Sequence, residues 1–452
     1  MKQRWTLHIE DFAKIKQAEI EIRPFTLFVG ENNTGKSYVA TLLWGLWALP
    51  QTLFPKEVPT SQVYGNCVSV INELLAQLKV AEQVIVTNEQ QQLLIDFFNQ
   101  CLNINKTKLI RDVFGKSIDV TKIEIKDFTY QGAFELAKEK LQVPVTQIRE
   151  KIIVDSDFLE LDTEFEKTEK YTEILYQIIK RIVYALLFSG YMASKQRDRL
   201  VIELLGLSYG AGLLEAPLFM PASRTGFMLS YPALVADGLD QQNVKLTLPL
   251  RLYLKGLVQK KPRRNIALGK IATWLETNLL KGRVEREDSE AIPQYQYKVA
   301  DETSGLPMHL VSSLVAEVAP IVHFLRHFNR YKALFIEEPE AHLHPAAQRI
   351  MARCLAKVSN QNVPLVVTTH GDTLFQQLNN LVVLHSHPNQ KQLLEGFGYE
   401  KDEVLNPENI VAYQFKKEAG CTTVTKLEST DYGIPVPTFN EPLESLFDEI
   451  QK

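Results

Sequence analysis

The eight residues Gly30–Ser37, GENNTGKS, constrain this chain more than any others. They fit the pattern G-x-x-x-x-G-K-[S/T], which works only between a buried strand and a helix. Both flanks comply. The run FTLFV before Gly30 is continuously apolar, and YVATLLWGLWAL after Ser37 is apolar almost all round, which predicts a buried strand and a buried helix. In such a turn the backbone N–H groups of Gly30, Glu31, Asn32, Asn33, Thr34 and Gly35 wrap phosphates, and the helix N-terminus adds positive potential. Lys36 is expected to bridge the β and γ phosphates, and Ser37 to offer its hydroxyl to Mg²⁺. The expected ligand is ATP with Mg²⁺.

Two downstream strands supply matching chemistry. ALFIEEPEAHLHP, Ala333–Pro345, is an apolar strand ending in two carboxylates and a proline. Glu337 is placed to hold the Mg²⁺ water shell, and Glu338 to polarise the attacking water as a general base. PLVVTTHG, Pro364–Gly371, is a second buried strand ending in His370, which can hydrogen-bond the γ-phosphate and sense its presence. A further strand in LEAPLFMPASRTG ends near Arg224, at what should be the ligand edge of the sheet; the residue is expected near nucleotide or in a structural salt bridge. His342 and His344 form an H-x-H pair without a nameable third ligand and read as part of the loop after the acids rather than as a metal site.

Period-two alternation over residues 4–30 predicts two or three short strands, and the alternation of helix and strand over 301–385 argues for parallel strands with crossover helices. The fold expected is α/β: a P-loop head with a mixed sheet and an inserted helical lobe. The divisions are residues 1–54 (head with P-loop), 55–205 (helical insertion), 206–230 (return to the head), 231–300 (a second, basic insertion) and 301–452 (head with acids and His370). A hairpin is expected over 409–427, turning at Ala419-Gly420.

The order of these segments resembles the ABC-type ATPase heads of the RecF/SMC-like group. More closely, it is similar to the AAA family ATPases related to the OLD (overcoming lysogenisation defect) proteins. Five segments carry the likeness: residues 8–37, FMPASRTG, LPMHLVSSLVAEVAPIVHFL, LFIEEPEAHLHP and VVTTHGDTL. The resemblance implies that Ser312 or Ser313, 25 and 24 residues before Glu337, opens a signature-type helix and caps ATP held by a second protomer. Where that group carries Gly after the serines, this chain has Leu314. Arg224 matches a recurrent Pro-Ala-x-Arg segment of the same ATPases. A homodimer or higher homo-oligomer with ATP sandwiched between heads is implied. So is a separately encoded effector in a bacterial anti-phage system, because no D-x-D cluster of the TOPRIM nuclease kind occurs between His370 and Lys452.

Charge and composition narrow the alternatives. A formal net charge of −4 provides no whole-molecule attraction to nucleic acid or membrane. Local binding would have to come from Lys255–Arg264, where Lys255, Lys260, Lys261, Arg263 and Arg264 stand without an acid. On that segment rests the alternative, a RecF-like ATPase that contacts DNA in repair or maintenance. Cys67, Cys101, Cys354 and Cys421 lack metal or CxxC spacing and read as free thiols. Neither a signal peptide nor a spanning segment is expected, so a cytoplasmic location without membrane contact is inferred.

Overall fold

The computed structural model describes residues 3–139, 152–155, 169–188, 200–202, 217–236, 246–259, 264–288, 292–300, 302, 304–328, 331–418, 420–430 and 433–435. The boundary expected near 205, the turn residue Ala419 and the basic residues Lys260, Lys261 and Arg263 lie outside them. The main strands are β1 (Gln3–Phe12), β2 (Ile15–Glu21), β3 (Phe25–Gly30), β4 (Lys122–Tyr130), β5 (Leu218–Met220), β6 (Leu334–Glu337), β7 (Leu365–Thr369), β8 (Ile410–Glu418) and β9 (Cys421–Leu427). They form one nine-stranded sheet in the order β4-β1-β2-β9-β8-β3-β7-β6-β5.

The sheet is mixed, and its two halves do different work. β4, β1 and β2 pair antiparallel, as do β8 and β9 in the expected hairpin. From β8 through β3, β7 and β6 to β5 every pairing is parallel. Parallel neighbours start and stop together, so the carboxyl ends of β3, β7, β6 and β5 reach one edge. Register makes this concrete, with Thr369 opposite Val29, Glu337 opposite Thr368, and Met220 opposite Ile336. The P-loop, His370, both acids and the Pro221–Arg224 loop therefore emerge side by side.

Two hydrophobic cores cover the sheet. Within β3 the side chains alternate: Phe28 joins one core, while Phe25, Leu27 and Val29 join the other. The first core holds the P-loop helix α1 (Lys36–Ala48), whose residues Val39–Trp47 are all buried, as its near-uniform apolarity requires. Against it pack α2 (Gln62–Val80), α3 (Asn88–Phe114) and α4 (Glu169–Phe188). Thr87 opens α3 with a capping box that Gln90 completes, and Gly115, at φ 71°, closes it. The described part of 55–205 is not helical throughout: beside these helices it holds β4 and a separate four-stranded sheet of Gln83–Ile85, Glu135–Glu139, Ile152–Asp155 and Leu200–Ile202, and it is not a lobe apart. Its helices share one core with α1 and β1, and its strand β4 pairs with β1 as the sheet's edge, Leu7 opposite Ile125 and Ile9 opposite Ile123.

The opposite face carries α5 (Arg224–Ala236), α6 (Ser313–Arg326), α7 (Pro345–Asn360) and α8 (Asp372–Ser386). The second insertion joins this core through the helices Leu248–Val258 and Ile266–Leu275 and the hairpin Gly282–Glu287/Gln294–Val299. Among the described residues no helix is long and apolar enough to cross a membrane. The four cysteines are free, three of them buried.

Candidate active site

The P-loop is built on backbone conformations that its residue types allow. Gly30 has φ +137°, and a Cβ there would lie 2.2 Å from the carbonyl oxygen of Phe415 on β8, so only glycine fits. Asn33 sits at φ 62° and Gly35 at φ 94°, left-handed conformations in the turn just before α1. The Thr34 hydroxyl donates to the Glu31 carbonyl at 2.8 Å and closes the loop from inside. Glu31, Asn32, Asn33 and Ser37 remain exposed along its outer side. Lys36 is buried, and its ammonium donates to the Gly30 and Glu31 carbonyls at 2.8 and 2.6 Å. Burial pulls its pKa down, while the surrounding carboxylates of Glu338, Glu340, Glu31 and Glu337 oppose the shift. Four carboxylates therefore surround the one buried ammonium of the loop. The indole of Trp44, two turns into α1, donates to the Pro217 carbonyl at 2.7 Å and ties the P-loop helix to the start of β5.

The acids occupy the next strand end but one. Burial raises the pKa of Glu337, and hydrogen bonds from the Ser37 hydroxyl and the Ala222 N–H hold its charge against that. A divalent cation would be held between the Ser37 hydroxyl and the Glu337 carboxylate, a hard oxygen pair that suits Mg²⁺. The cation would neutralise charge on the β and γ phosphates. Glu338 stands at φ 44°, a strained conformation for a residue with a Cβ. Its N–H donates to the Thr368 carbonyl at 2.8 Å, and its own carbonyl accepts from Ala341 at 2.9 Å, which turns the chain sharply and projects the carboxylate toward β7.

There it meets His370, with Nδ1 3.5 Å from Glu338 Oε1 and 3.8 Å from Glu340 Oε1. The contact lowers the pKa of Glu338 and raises that of His370. A carboxylate and an imidazole are thereby paired at the strand edge, next to the loop that carries Lys36.

Glu340, quoted above within the acidic run but given no role there, organises this corner. It is buried, and its Oε1 accepts from the Thr369 hydroxyl at 2.5 Å and from the N–H groups of His370 and Gly371 at 3.0 and 3.1 Å. A Cβ at Gly371 would press to 2.8 Å from Glu340 Cγ, which accounts for glycine after the histidine. His342 and His344 are exposed; His344 caps α7 through Nδ1 to the Ala346 N–H at 3.3 Å. Among the described residues no group of three or more His, Cys, Asp and Glu could hold a metal ion by itself.

Arg224 requires a correction. It does not line the nucleotide edge: the side chain is fully buried behind the acids. Nη1 donates to the Pro221 and Glu337 carbonyls at 2.9 and 2.6 Å, Nη2 donates to the Glu338 carbonyl at 2.9 Å, and the charge pairs with Glu317. The salt bridge that the sequence left open is what forms. Ser312 caps α6, accepting from the Val315 N–H at 3.4 Å, and Ser312 and Ser313 are both exposed. They share the chain's surface but are not brought into contact with its own P-loop. Of the basic segment, Lys255 and Arg264 are exposed.

Residues 252–374 match the family model described as the AAA ATPase domain. The match takes in α6, both acids and His370, and the P-loop joins them through the pairing of β3 with β7. Among curated proteins there is no match. Solved structures similar to the chain include an SMC head bound to the C-winged helix domain of ScpA, at 12% identity and TM-score 0.38, covering 94% of this chain and 97% of that one. The SMC head domain from Thermotoga maritima is similar at 10% identity and TM-score 0.35, covering 95% and 100%. An Smc head with an extended coiled coil from Pyrococcus furiosus, bound to the C-terminal domain of ScpA, is similar at 11% identity and TM-score 0.34, covering 100% of each chain. Likeness at this level carries no residue-by-residue correspondence. Over residues 252–374 the chain is similar to the AAA ATPase domain, and that match, on a mixed α/β sheet, supports ATPase activity.

Proposed function

We propose that the chain is a nucleotide-dependent dimerisation switch, in which Mg-ATP is bound by Gly30–Ser37 of one head and closed over by Ser312 and Ser313 of another. In this reading Glu338 accepts a proton from water as the water oxygen bonds to the γ-phosphorus and the bridging oxygen leaves with ADP. His370 uses the ring nitrogen that does not face Glu338 to contact the γ-phosphate. Lys36 and the loop N–H groups stabilise the charge that builds on the phosphates. The observation that carries the reading is the arrangement of Lys36, Ser37–Glu337, Glu338 and His370 at one strand edge while Ser312 and Ser313 stand exposed at a helix N-terminus elsewhere on the chain. Leu310, 63% exposed just ahead of Ser312, adds apolar surface to a partner-facing rim.

Binding would join heads and hydrolysis release them. Ser313→Arg tests this. Nucleotide binding by the isolated head should survive while ATP-dependent assembly and turnover are lost. Retention of both would remove Ser313 from the composite site. For the biological role, the resemblance described above supports the ATPase component of a bacterial anti-phage system that works with a separately encoded effector. Its test is protection of cells by this gene alone and together with its neighbour. Full protection by the chain alone would defeat it.

A further inference from the structure

Behind the acids lies a buried ionic connection that neither the phosphate loop nor the catalytic carboxylate uses directly. We propose that the Arg224–Glu317 pair positions Glu338 and makes that position depend on helix α6. Engagement of the N-terminus of α6 by a partner's nucleotide would then be felt at the acid of the same chain. The second half of this inference rests on the composite-site reading; the first half stands on one chain.

The backbone of Glu338 is strained. A residue with a Cβ at φ 44° persists only when its surroundings hold it. Three hydrogen bonds do so: its N–H to the Thr368 carbonyl, and its carbonyl to the Ala341 N–H and to Arg224 Nη2 at 2.9 Å. The same guanidinium also binds the carbonyls of Glu337 and Pro221. One planar fork thus spans both acids and the end of β5, a task that a lysine's point charge cannot repeat.

The fork is in turn held from α6. Glu317, 1% exposed, brings Oε1 to 2.7 Å from Arg224 Nη2, and its Oε2 accepts from the Thr225 N–H and hydroxyl at 3.0 and 2.5 Å. Glu317 lies little more than one turn after the Ser312 cap, so it moves with the helix's first turns.

A buried ion pair is weak evidence for stability, because desolvation cancels most of its attraction. This pair is also incompletely satisfied. The 2.7 Å approach lies off the N–H axis, and both Arg224 Nε and Glu317 Oε1 have no hydrogen-bond partner. A small shift of α6 along the guanidinium would change how it is held. Partly satisfied buried networks respond to such shifts more than apolar contacts do.

The test compares wild type, Glu317→Gln, Arg224→Lys and the double variant in the full chain. Measured are ATP turnover, KM for ATP, ATP-dependent assembly, thermal midpoint and amide hydrogen exchange over residues 334–341. Expected in each single variant is a fall of about 10- to 100-fold in kcat, the scale of a misplaced catalytic group. KM and assembly should stay near wild type, exchange at 338–341 should quicken, and the double variant should be no worse than the worse single one. Unchanged kcat per folded protein with only a lower thermal midpoint overturns the proposal and leaves the pair structural. Parallel loss of kcat and assembly also overturns it, since the pair would then act on dimer formation. If the wild type itself does not assemble with ATP, the composite-site reading fails separately. A kcat loss in Glu317→Gln would in that case keep Arg224 as a positioning residue within one chain.

Discussion

Truncation of Glu340 gives a measure of how firmly the histidine corner is held. The carboxylate is 4% exposed and its Oε1 takes three donors: the Thr369 hydroxyl, the His370 N–H and the Gly371 N–H. In Glu340→Ala the Gly371 N–H keeps an alternative acceptor, the Thr369 hydroxyl oxygen at 3.0 Å, so two donors are stranded rather than three. A buried donor left unmade costs about 1–3 kcal/mol, which puts the loss at roughly 2–6 kcal/mol. Against it, alanine removes a buried carboxylate whose Oε2 has no partner, relieving about 1–3 kcal/mol. Taken at mid-range, the two terms leave a destabilisation of about 2 kcal/mol. Glu340→Gln keeps an acceptor in place and loses the charge assistance, so about 1 kcal/mol is expected. Urea unfolding of both variants, read beside ATP turnover, gives the comparison. Turnover should fall with the alanine variant and be largely restored by glutamine. An alanine variant within about 0.5 kcal/mol of wild type, the range of an ordinary surface change, refutes the reasoning. So does a glutamine variant less stable than alanine.

Three further expectations follow from the same geometry. In a titration of the His370 imidazole by NMR, the midpoint should lie above the ordinary 6.5, because Glu338 and Glu340 face the ring and outweigh its burial and the opposing Lys36. The pair's contribution to stability is then complete below 6.5 and fades as pH rises through the raised value; on the acid side it is lost as Glu338 protonates below its ordinary 4.5. Glu338→Gln should bring the histidine midpoint down, and an unmoved midpoint would separate the two residues. Gly30→Ala places a methyl 2.2 Å from the Phe415 carbonyl at an unfavourable φ, so ATP binding should be lost together with about 1–3 kcal/mol of stability; normal binding would mean that the loop relaxes freely. Leu310→Asp should leave unfolding within about 0.5 kcal/mol of wild type while weakening ATP-dependent assembly, and undiminished assembly would place the partner surface elsewhere.

The parts legible in the sequence are those where local pattern and chemistry coincide. GENNTGKS needs its strand and helix within a dozen residues on either side, and those flanks could be read directly. The acidic and histidine strands announced themselves as short apolar runs ending in functional groups, and parallel pairing then brought the ends together. Other features depended on contacts between distant residues. Nothing in the spacing of Arg224 and Glu317 reveals that they meet, or that the guanidinium turns inward to backbone carbonyls. Glu340 was visible as a letter in an acidic run, but its function arises from the turn at Glu338, which carries its carboxylate beneath the His370 and Gly371 amides. The partner of the strand Lys122–Tyr130, β1 over a hundred residues earlier, could be known only from the fold. Burial on a shared sheet, rather than propensity, joined the helical insertion to the head.

Glu338→Gln, compared with wild type for ATP turnover and for assembly size with and without ATP, tests the central claim most directly. Glutamine keeps the shape of the side chain and removes its ability to accept a proton. The account predicts that turnover stops while ATP holds the variant in a larger assembly that wild type forms only transiently. Hydrolysis at the wild-type rate by the variant would contradict the assignment of Glu338 as the base.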